Sequence, residues 1–288
     1  MLLAGFDAGQ TSTRCRVCRW QEVGWQIIGE GSGPGVSHLE ASGGAERFRQ
    51  AVLTERFRQA VLTSLTSAFE GEGERRLDAA VIGASGIEQS SALQPRATAL
   101  LADALSLPED RVLATGDERT ALRGAFPDGD GIILISGTGM ICLGRDHQGK
   151  EHRCGGWGWM LDGAGSAFDL GHQGLQLTLQ MADGRRPDHP LRQRMWEQLG
   201  CRGHADVKAW VVQPSRTAAD LAALAPLLVA AADAGLPAAQ DILQRSAAAL
   251  VSCAATVARR GPGTRAAAAG GGGARRRAAT PGQRPTGG

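Results

Sequence analysis

The sequence contains no tyrosine, and no run of apolar residues approaches the roughly 20 needed to span a membrane. Its first residues, Met1-Leu2-Leu3-Ala4, have neither the basic segment nor the longer apolar segment of a secretory signal. The lack of a membrane-spanning run and of a signal segment predicts a cytoplasmic protein without a membrane partner. The chain has 288 residues, of which 42% are hydrophobic, so it can bury a core and is expected to form two domains.

Signs of nucleic-acid binding are also missing. Residues 259–288 hold seven arginines and no acid, so without them the net charge of +2 becomes −5. No zinc-finger spacing, aromatic-rich sheet motif or basic helix accompanies this basic tail. We therefore expect a small-molecule partner rather than nucleic acid.

Disulfide bonds are not expected, because the six cysteines are scattered through a chain too long to need them. Cys15 and Cys18 have the spacing of a metal or redox CxxC motif. They lie in an expected strand, however, where a separation of three directs the two thiols to opposite faces. Free thiols are the favoured interpretation.

The order of expected elements indicates an α/β protein. Three strands at 2–7, 13–20 and 23–29 precede a helix, and a strand at 77–83, a helix and a strand at 111–115 follow. This β-β-β-α-β-α-β order predicts a mixed sheet with helices on its faces. A second half begins with a hairpin of residues 131–136 and 140–145, after which the chain is mostly helical.

The first long helix contains a tandem duplication, because Glu46–Thr54 is repeated without change as residues 55–63. At about 100° per residue, nine residues rotate a helix by two and a half turns. Phe57 and Val61 should therefore face away from the direction of Phe48 and Val52. We expect one copy to pack in the core and the other to extend the amino end of the helix into solvent.

Residues 259–288 consist mainly of alanine, glycine, arginine and proline. Such a composition offers almost no large apolar side chain to offset the entropy lost on ordering, so it predicts a disordered tail. One interpretation is a flexible tail, and the other is a coding frame lost near Arg260. Composition favours the second.

A first glycine- and threonine-rich segment follows the first strand, at Gly5–Thr13. Asp7 ends that strand, where its carboxylate could hold Mg²⁺ through water. Gly9 permits a close turn, and the backbone and hydroxyl groups beyond it could surround phosphate. The candidate cofactor-binding residues are Asp7, Gly9, Gln10, Thr11, Ser12 and Thr13. An ordinary hairpin with satisfied hydroxyls is the alternative.

A second segment, Gly137-Thr138-Gly139, repeats the pattern of strand, glycine turn and hydroxyl. Two such hairpins facing each other predict an ATP cleft. Asp117 precedes the second hairpin and is our candidate for the general base of phosphoryl transfer. The alternative makes Asp117 the N-cap of the following helix.

The most specific segment is Cys154–Gly171, which contains Gly155-Gly156-Trp157-Gly158. Together with the two phosphate segments, it resembles N-acetylglucosamine kinases and the wider BadF/BadG/BcrA/BcrD-type ATPase family. That family is related to sugar kinases, actin and heat-shock ATPases. The resemblance covers residues 3–258.

The resemblance implies two ribonuclease-H-like domains with an ATP·Mg²⁺ cleft between them, the second helix-rich and incomplete at its C-terminus. The implied domains are residues 1–115 and 116–258, with 259–288 as the tail. Asp117 matches the catalytic aspartate of the family. The sugar site would use Thr138, Gly156 and Trp157, and two tryptophans in a glycine-rich loop suit stacking on a sugar.

The sequence departs from the family pattern at three places. The usual Gly-Asp-Glu-Gly-Ser is here Asp162-Gly163-Ala164-Gly165-Ser166, so the acid is displaced to Asp162. Ser37 or His38 stands where an asparagine is expected. The closing adenosine-binding motif should follow a strand after the helix ending near Arg260. The sequence has only the tail in that place.

Three functions therefore stay open. The favoured one is an ATP-dependent kinase of N-acetylglucosamine or a related amino sugar, for which a homodimer is one expected assembly. The second is an ATPase that activates an acyl-CoA dehydratase or reductase through an iron–sulfur cluster, for which Cys142 and Cys154 are the candidate ligands. The third is a degenerate sugar-binding protein without kinase activity.

Overall fold

The computed structural model describes residues 1–9, 12–22, 24–36, 46–69, 76–84, 86–87, 93–261 and 266–270, with the backbone alone for 46–54 and 266–270. The chain divides into two compact units, Met1–Asp128 and Gly129–Gly288.

The first unit is built on a five-stranded mixed sheet, which confirms the predicted α/β class for this half. Its elements are β1 (Leu2–Ala8), β2 (Ser12–Gln21), β3 (Gly24–Pro34), α1 (Glu46–Ala68), β4 (Ala79–Ala84), α2 (Leu93–Leu105), β5 (Val112–Thr115) and α3 (Asp117–Ala125). The strand order is β3-β2-β1-β4-β5. The first three strands pair antiparallel, whereas β1, β4 and β5 run parallel.

The core of the first unit follows from strand alternation. Leu2, Ala4, Phe6 and Ala8 are all buried in β1, with the residues between them turned away. In β2, Cys15 is buried and Cys18 only half-buried, which confirms that the two thiols of the CxxC spacing differ in environment. All six cysteines are free.

The duplicated segment forms one continuous helix, α1. Phe57, Ala60 and Val61 of the second copy are buried in the core. Glycines 29, 31 and 33 make this packing possible, since a Cβ at any of them would collide with the backbone of Ala68, Ser64 or Ala60. The second copy therefore occupies the core position, and the side chains of the first copy lie outside the described residues.

The second unit combines a four-stranded sheet with a helical region. Its elements are β6 (Gly131–Ser136), β7 (Met140–Arg145), β8 (Glu151–Gly155), α4 (Ala167–Ala182), α5 (Pro190–Gln198), α6 (His204–Val211), α7 (Ala218–Ala222), α8 (Ala225–Asp233), α9 (Pro237–Arg260) and β9 (Ala266–Gly270). The strand order is β8-β7-β6-β9, and β9 runs parallel to β6. Leu191, Met195, Val207 and Leu228 are central to the helical core.

Two expectations about boundaries need correction. The first unit ends at Asp128 rather than at residue 115, because α3 packs on β4, where Thr120 lies directly against Gly83. The tail predicted to be disordered contains β9, which pairs with β6 from Ile132–Ala266 to Ser136–Gly270. Strand pairing uses backbone N–H and C=O groups, which an alanine run supplies as well as any other sequence.

No single helix in the described part of the chain is long and apolar enough to cross a membrane. The helical segments Ala218–Asp233 and Pro237–Arg260 would pass such a test only as a pair, and they are bent by 118°.

Candidate functional site

In the first unit, the predicted acidic residues meet at the carboxyl ends of parallel strands. Asp7 in β1 lies beside Gly83 in β4, and Gly83 lies beside Thr115 at the end of β5. Asp117 begins α3 two residues after Thr115. Partial burial and the negative charge of Asp117 raise the pKa of Asp7, while Arg14 opposes the shift. The two carboxylates are thus electrostatically coupled.

The position of Asp117 depends on a close approach of α3 to the sheet. A Cβ at Gly83 would collide with the side chain of Thr120, so glycine is needed for this packing. The Thr120 hydroxyl donates to the Asp117 carbonyl over 2.8 Å. Gly116, not Asp117, is the N-cap, which corrects the alternative interpretation of Asp117. The Asp117 carboxylate accepts a hydrogen bond from the Glu118 N–H at 3.0 Å.

Glu118 is a buried acid that the sequence interpretation missed. It is 8% exposed, its carboxylate lies against Gly116, and it pairs with Arg119 at 2.8 Å. Burial, and to a smaller extent the charge of Asp117, raises the pKa of Glu118 to about 7. An acid directly beside a candidate base was the available signal, but nothing in the sequence indicates that its side chain is buried.

The turn between β1 and β2 has the close geometry expected of the first phosphate segment. The Gly9 N–H donates to the Ser12 carbonyl over 3.0 Å, and the Gly9 carbonyl accepts from Val36 N–H at 3.0 Å. Ser12 is exposed, whereas Thr13 is 0% exposed and its hydroxyl has no partner among the described residues. The hydroxyl of Ser12 is therefore accessible and that of Thr13 is not, which corrects the expectation that both contact phosphate.

Four predicted site residues, Gln10, Thr11, Ser37 and His38, lie outside the described residues.

In the second unit, the turn Gly137–Gly139 joins β6 to β7 as predicted, and Thr138 and Gly139 are exposed. The Gly137 N–H donates to the Gly139 carbonyl over 2.8 Å. The start of α4 is attached to this turn, since Ala167 N–H donates to the Gly137 carbonyl over 2.7 Å. A further bond joins the Ser136 hydroxyl to the Gly165 carbonyl at 2.7 Å.

The glycine–tryptophan segment lies beside the same turn, because Gly155 at the end of β8 pairs with Ile141 in β7. Gly155 and Gly156 have φ angles of +77° and +78°, which favour glycine. The Asp162 carboxylate is 3.3 Å from the position of a Cβ at Gly155. The structure therefore brings Thr138, Gly156, Trp157 and Asp162 into one region of this unit.

This segment exposes an unusual amount of apolar surface. Trp157 is 64% exposed, and Met160 and Leu161 are exposed as well. Trp159 is also exposed, at 44%, but its ring packs against that of Phe168 with centroids 4.8 Å apart. Trp159 thus attaches the loop to α4, whereas Trp157 is the more exposed of the two.

Cys142 and Cys154 face each other across β7 and β8. Burial raises the pKa of Cys142 to about 12, and burial together with a hydrogen bond to Cys154 raises that of Cys253 to about 11. Across the described ranges, no group of three or more His, Cys, Asp or Glu residues is arranged to hold a metal.

Residues 4–281 match the BadF/BadG/BcrA/BcrD ATPase family. The chain therefore belongs to this family of ATPases, as the motifs indicated.

Curated relatives are named as sugar kinases. An N-acetylmuramic acid/N-acetylglucosamine kinase of Clostridium acetobutylicum is 32% identical over 114 residues, which cover 40% of this chain and 37% of that one. An N-acetyl-D-glucosamine kinase of Dictyostelium discoideum is 33% identical over 106 residues, covering 36% of this chain and 33% of that one. The matched segments thus span little more than a third of these relatives.

Solved structures extend the similarity across the fold. A protein described as a candidate N-acetylglucosamine kinase of Chromobacterium violaceum superposes with a TM-score of 0.74 at 27% identity, covering 94% of this chain and 87% of that one. A similarly described protein of Porphyromonas gingivalis has a TM-score of 0.65 at 20% identity, covering 92% and 93%. The second likeness shows a shared fold.

Proposed function

We propose that the protein is an ATP-dependent kinase that phosphorylates a hydroxyl of an amino sugar such as N-acetylglucosamine. Two carboxylates carry this proposal: Asp7 near the carboxyl end of β1, and Asp117 just beyond the carboxyl end of β5, with β4 between the two strands. Phosphoryl transfer requires mainly positioning and charge stabilisation, together with one carboxylate to accept a proton. The names of the relatives support the sugar as acceptor.

Asp117 is the proposed general base. It accepts the proton of the sugar hydroxyl while the hydroxyl oxygen forms a bond to the γ-phosphorus and the bond to the leaving ADP oxygen breaks. The hydrogen bonds from Glu118 N–H to its carboxylate and from Thr120 to its carbonyl fix this residue at the start of α3. General base catalysis by a side chain placed in this way contributes about 10²–10⁴-fold.

The residues around Asp7 fit a phosphate-bound divalent cation. Partial burial, and to a smaller extent the negative charge of Asp117, raises the pKa of Asp7, and a bound cation would stabilise the ionised carboxylate. ATP supplies the transferred phosphoryl group, and Mg²⁺ neutralises its charge. Gly9 to Ser12 and Gly137 to Gly139 are proposed to contact the phosphates, Gly9 through the close turn that the structure shows.

Thr138, Gly156, Trp157 and Asp162 are proposed to bind the sugar. Trp157 offers an exposed indole for stacking on the apolar face of a sugar ring. Asp162 supplies a carboxylate acceptor beside the Gly155 backbone. Ser37 or His38 is proposed to complete this site.

The strand β9 supports an intact nucleotide site. Sequence interpretation found no strand after the helix near Arg260 and hence inferred that the adenosine-binding motif was lost. β9 occupies that place and ends at Gly270, and Gly271 to Gly273 follow in the sequence. The family match also continues to residue 281. We therefore favour an active kinase over a degenerate sugar-binding protein.

An ADP-release assay tests this function. N-acetylglucosamine, N-acetylmuramic acid, glucosamine, N-acetylmannosamine and glucose are offered as acceptors, and sugar-stimulated turnover is expected with an N-acetylated amino sugar. Asp117→Asn should reduce kcat about 1000-fold. Asp110→Asn, which alters an exposed acid ahead of β5, is the matched control. No stimulation by any of these sugars, or full activity of Asp117→Asn, would contradict the proposal.

A further inference from the structure

Arg153, in β8, makes three contacts with the residues that follow it. Its Nε donates to the Gly155 carbonyl over 3.1 Å, and its Nη2 donates to the Gly156 carbonyl. The guanidinium carbon also lies 4.8 Å from the centre of the Trp157 ring. One side chain thus contacts the backbone of both glycines and the side chain of the tryptophan.

These contacts require the backbone that the two glycines adopt. With left-handed φ angles at both positions, the chain reverses so that two successive carbonyls approach the same guanidinium. A Cβ at Gly156 would lie 3.0 Å from Arg153 Nη2 and 2.9 Å from Ile141 Cδ1, so a side chain there would have to displace the ends of both. The planar fork of arginine suits two acceptors at once, which a lysine ammonium does not.

The tryptophan would otherwise have little to hold it. Trp157 is 64% exposed and is followed by Gly158, which also has a left-handed φ of +89°. An exposed indole on a glycine-rich loop has access to several rotamers, and fixing one of them on binding costs conformational entropy. A cation stacked on one ring face restricts those rotamers and leaves the other face for a ligand.

We propose that Arg153 is a positioning residue that holds Trp157, through the contact with its ring and the bonds to the Gly155 and Gly156 carbonyls, in the orientation that receives the sugar. This inference rests on the proposed sugar site, because it assigns no contact of Arg153 with the substrate. The residue acts through Trp157, so its effect should appear in sugar binding and not in the chemical step or in ATP binding.

Steady-state kinetics of Arg153→Met provide the first test. This variant keeps the apolar stem but removes the charge and the donors. The sugar KM should rise about tenfold, while kcat and the KM for ATP change by less than about threefold. Arg153→Lys should recover part of the loss, because it restores the cation over the ring but not the fork. A fall in kcat as large as the rise in the sugar KM, together with an equal rise in the KM for ATP, would overturn the inference.

A double-mutant cycle separates positioning from a general structural role. In a Trp157→Ala background, Arg153→Met should raise the sugar KM by less than about twofold, because the group through which it acts is gone. Independent, additive effects would contradict the proposal. Arg192→Met is the matched control, since it removes an arginine stacked on Trp196 at 5.3 Å, on α5 in the helical region. It should leave the sugar KM unchanged.

Fluorescence tests the contact without any substrate. The contribution of Trp157 is obtained by subtracting the spectrum of Trp157→Ala, and acrylamide quenching of that contribution should increase at least about twofold in Arg153→Met as the indole is released. Unchanged quenching would overturn the inference. If the wild-type protein phosphorylates none of the sugars but this quenching increases, the proposed function fails while the positioning contact stands.

Discussion

The two groups of candidate residues are held in place by different means. Asp7 and Asp117 are fixed by strand register and by the first turn of a helix, both of which rest on repeating backbone hydrogen bonds. Gly156 and Trp157 lie on a loop that depends on left-handed glycines and on a single arginine. Substitutions should therefore affect catalysis in the first group and sugar affinity in the second.

After Asp117→Asn, the substitution Asp7→Asn should have the largest effect on activity. Loss of this carboxylate removes the proposed water-mediated Mg²⁺ contact and should lower kcat about 100-fold, a typical result of deleting one electrostatic contributor. The Mg²⁺ concentration for half-maximal activity should rise, while the sugar KM stays near its original value. Turnover measured against Mg²⁺ and against sugar checks both points.

Asp103→Asn is the control for this substitution, because Asp103 is an exposed acid that pairs with Arg58 on the surface. A rise in sugar KM with unchanged Mg²⁺ dependence in Asp7→Asn would break the comparison, since Asp7 would then behave as a loop residue.

Gly156→Ala should give the next largest effect, on the loop side. Alanine at a φ of +78° is strained, and its Cβ would meet Ile141 and Arg153 at 2.9 Å and 3.0 Å. We expect a loss of stability of about 1–3 kcal/mol and a higher sugar KM, with the KM for ATP unchanged. Thermal unfolding and kinetics measure the two parts.

Gly149→Ala separates backbone strain from crowding. Gly149 has a similar φ of +80° but nothing within 4 Å of a Cβ, so alanine there should cost only the backbone strain. Equal losses of stability in the two variants would show that the contacts with Ile141 and Arg153 do not restrict position 156.

The sequence predicts residues that are fixed by local structure better than residues that depend on long-range contacts. Asp7 and Asp117 stand next to strand ends, where the local pattern indicates a turn, so both could be proposed from the sequence. The collision that requires Gly83 involves Thr120 on a distant helix, and the burial of Glu118 depends on how α3 packs. Neither is visible in local sequence. The sequence did not predict β9 because alanine is depleted in strands. The pairing of β9 with β6 is a long-range contact, which the local sequence does not indicate either.

The substitution Glu118→Gln tests the environment of the carboxylates through the pH dependence of the free energy of unfolding. The pKa of Glu118 is raised from 4.5 to about 7 in the folded protein, so between these values the folded state holds a proton that the unfolded state has released. Stability therefore decreases as the pH rises from about 4.5 to about 7. Glutamine cannot ionise, so Glu118→Gln should gain about 2 kcal/mol over the wild type near pH 8, a gain that vanishes near pH 4.

Denaturant unfolding at several pH values measures this difference. Glu109→Gln, which alters an exposed acid in the short helical turn before β5, should show no such pH dependence. A gain that stays constant with pH would mean that Glu118 does not lose its proton in this range, and that the carboxylate side is held by packing alone.

Deletion of residues 46–54 should have the smallest effect. The second copy already fills the core position, because Phe57, Ala60 and Val61 are buried. Ala60, and Ser64 and Ala68 just beyond the copy, lie against the glycines of β3. Removing the first copy should change the melting temperature by less than about 2 °C and leave kcat unchanged, as for surface changes of about 0.5 kcal/mol. Phe57→Ala, a matched change within the second copy, should instead cost about 3–5 kcal/mol. If the deletion lowers stability as much as Phe57→Ala does, both copies contribute to the core and the assignment of the first copy to the solvent-facing end of α1 is wrong.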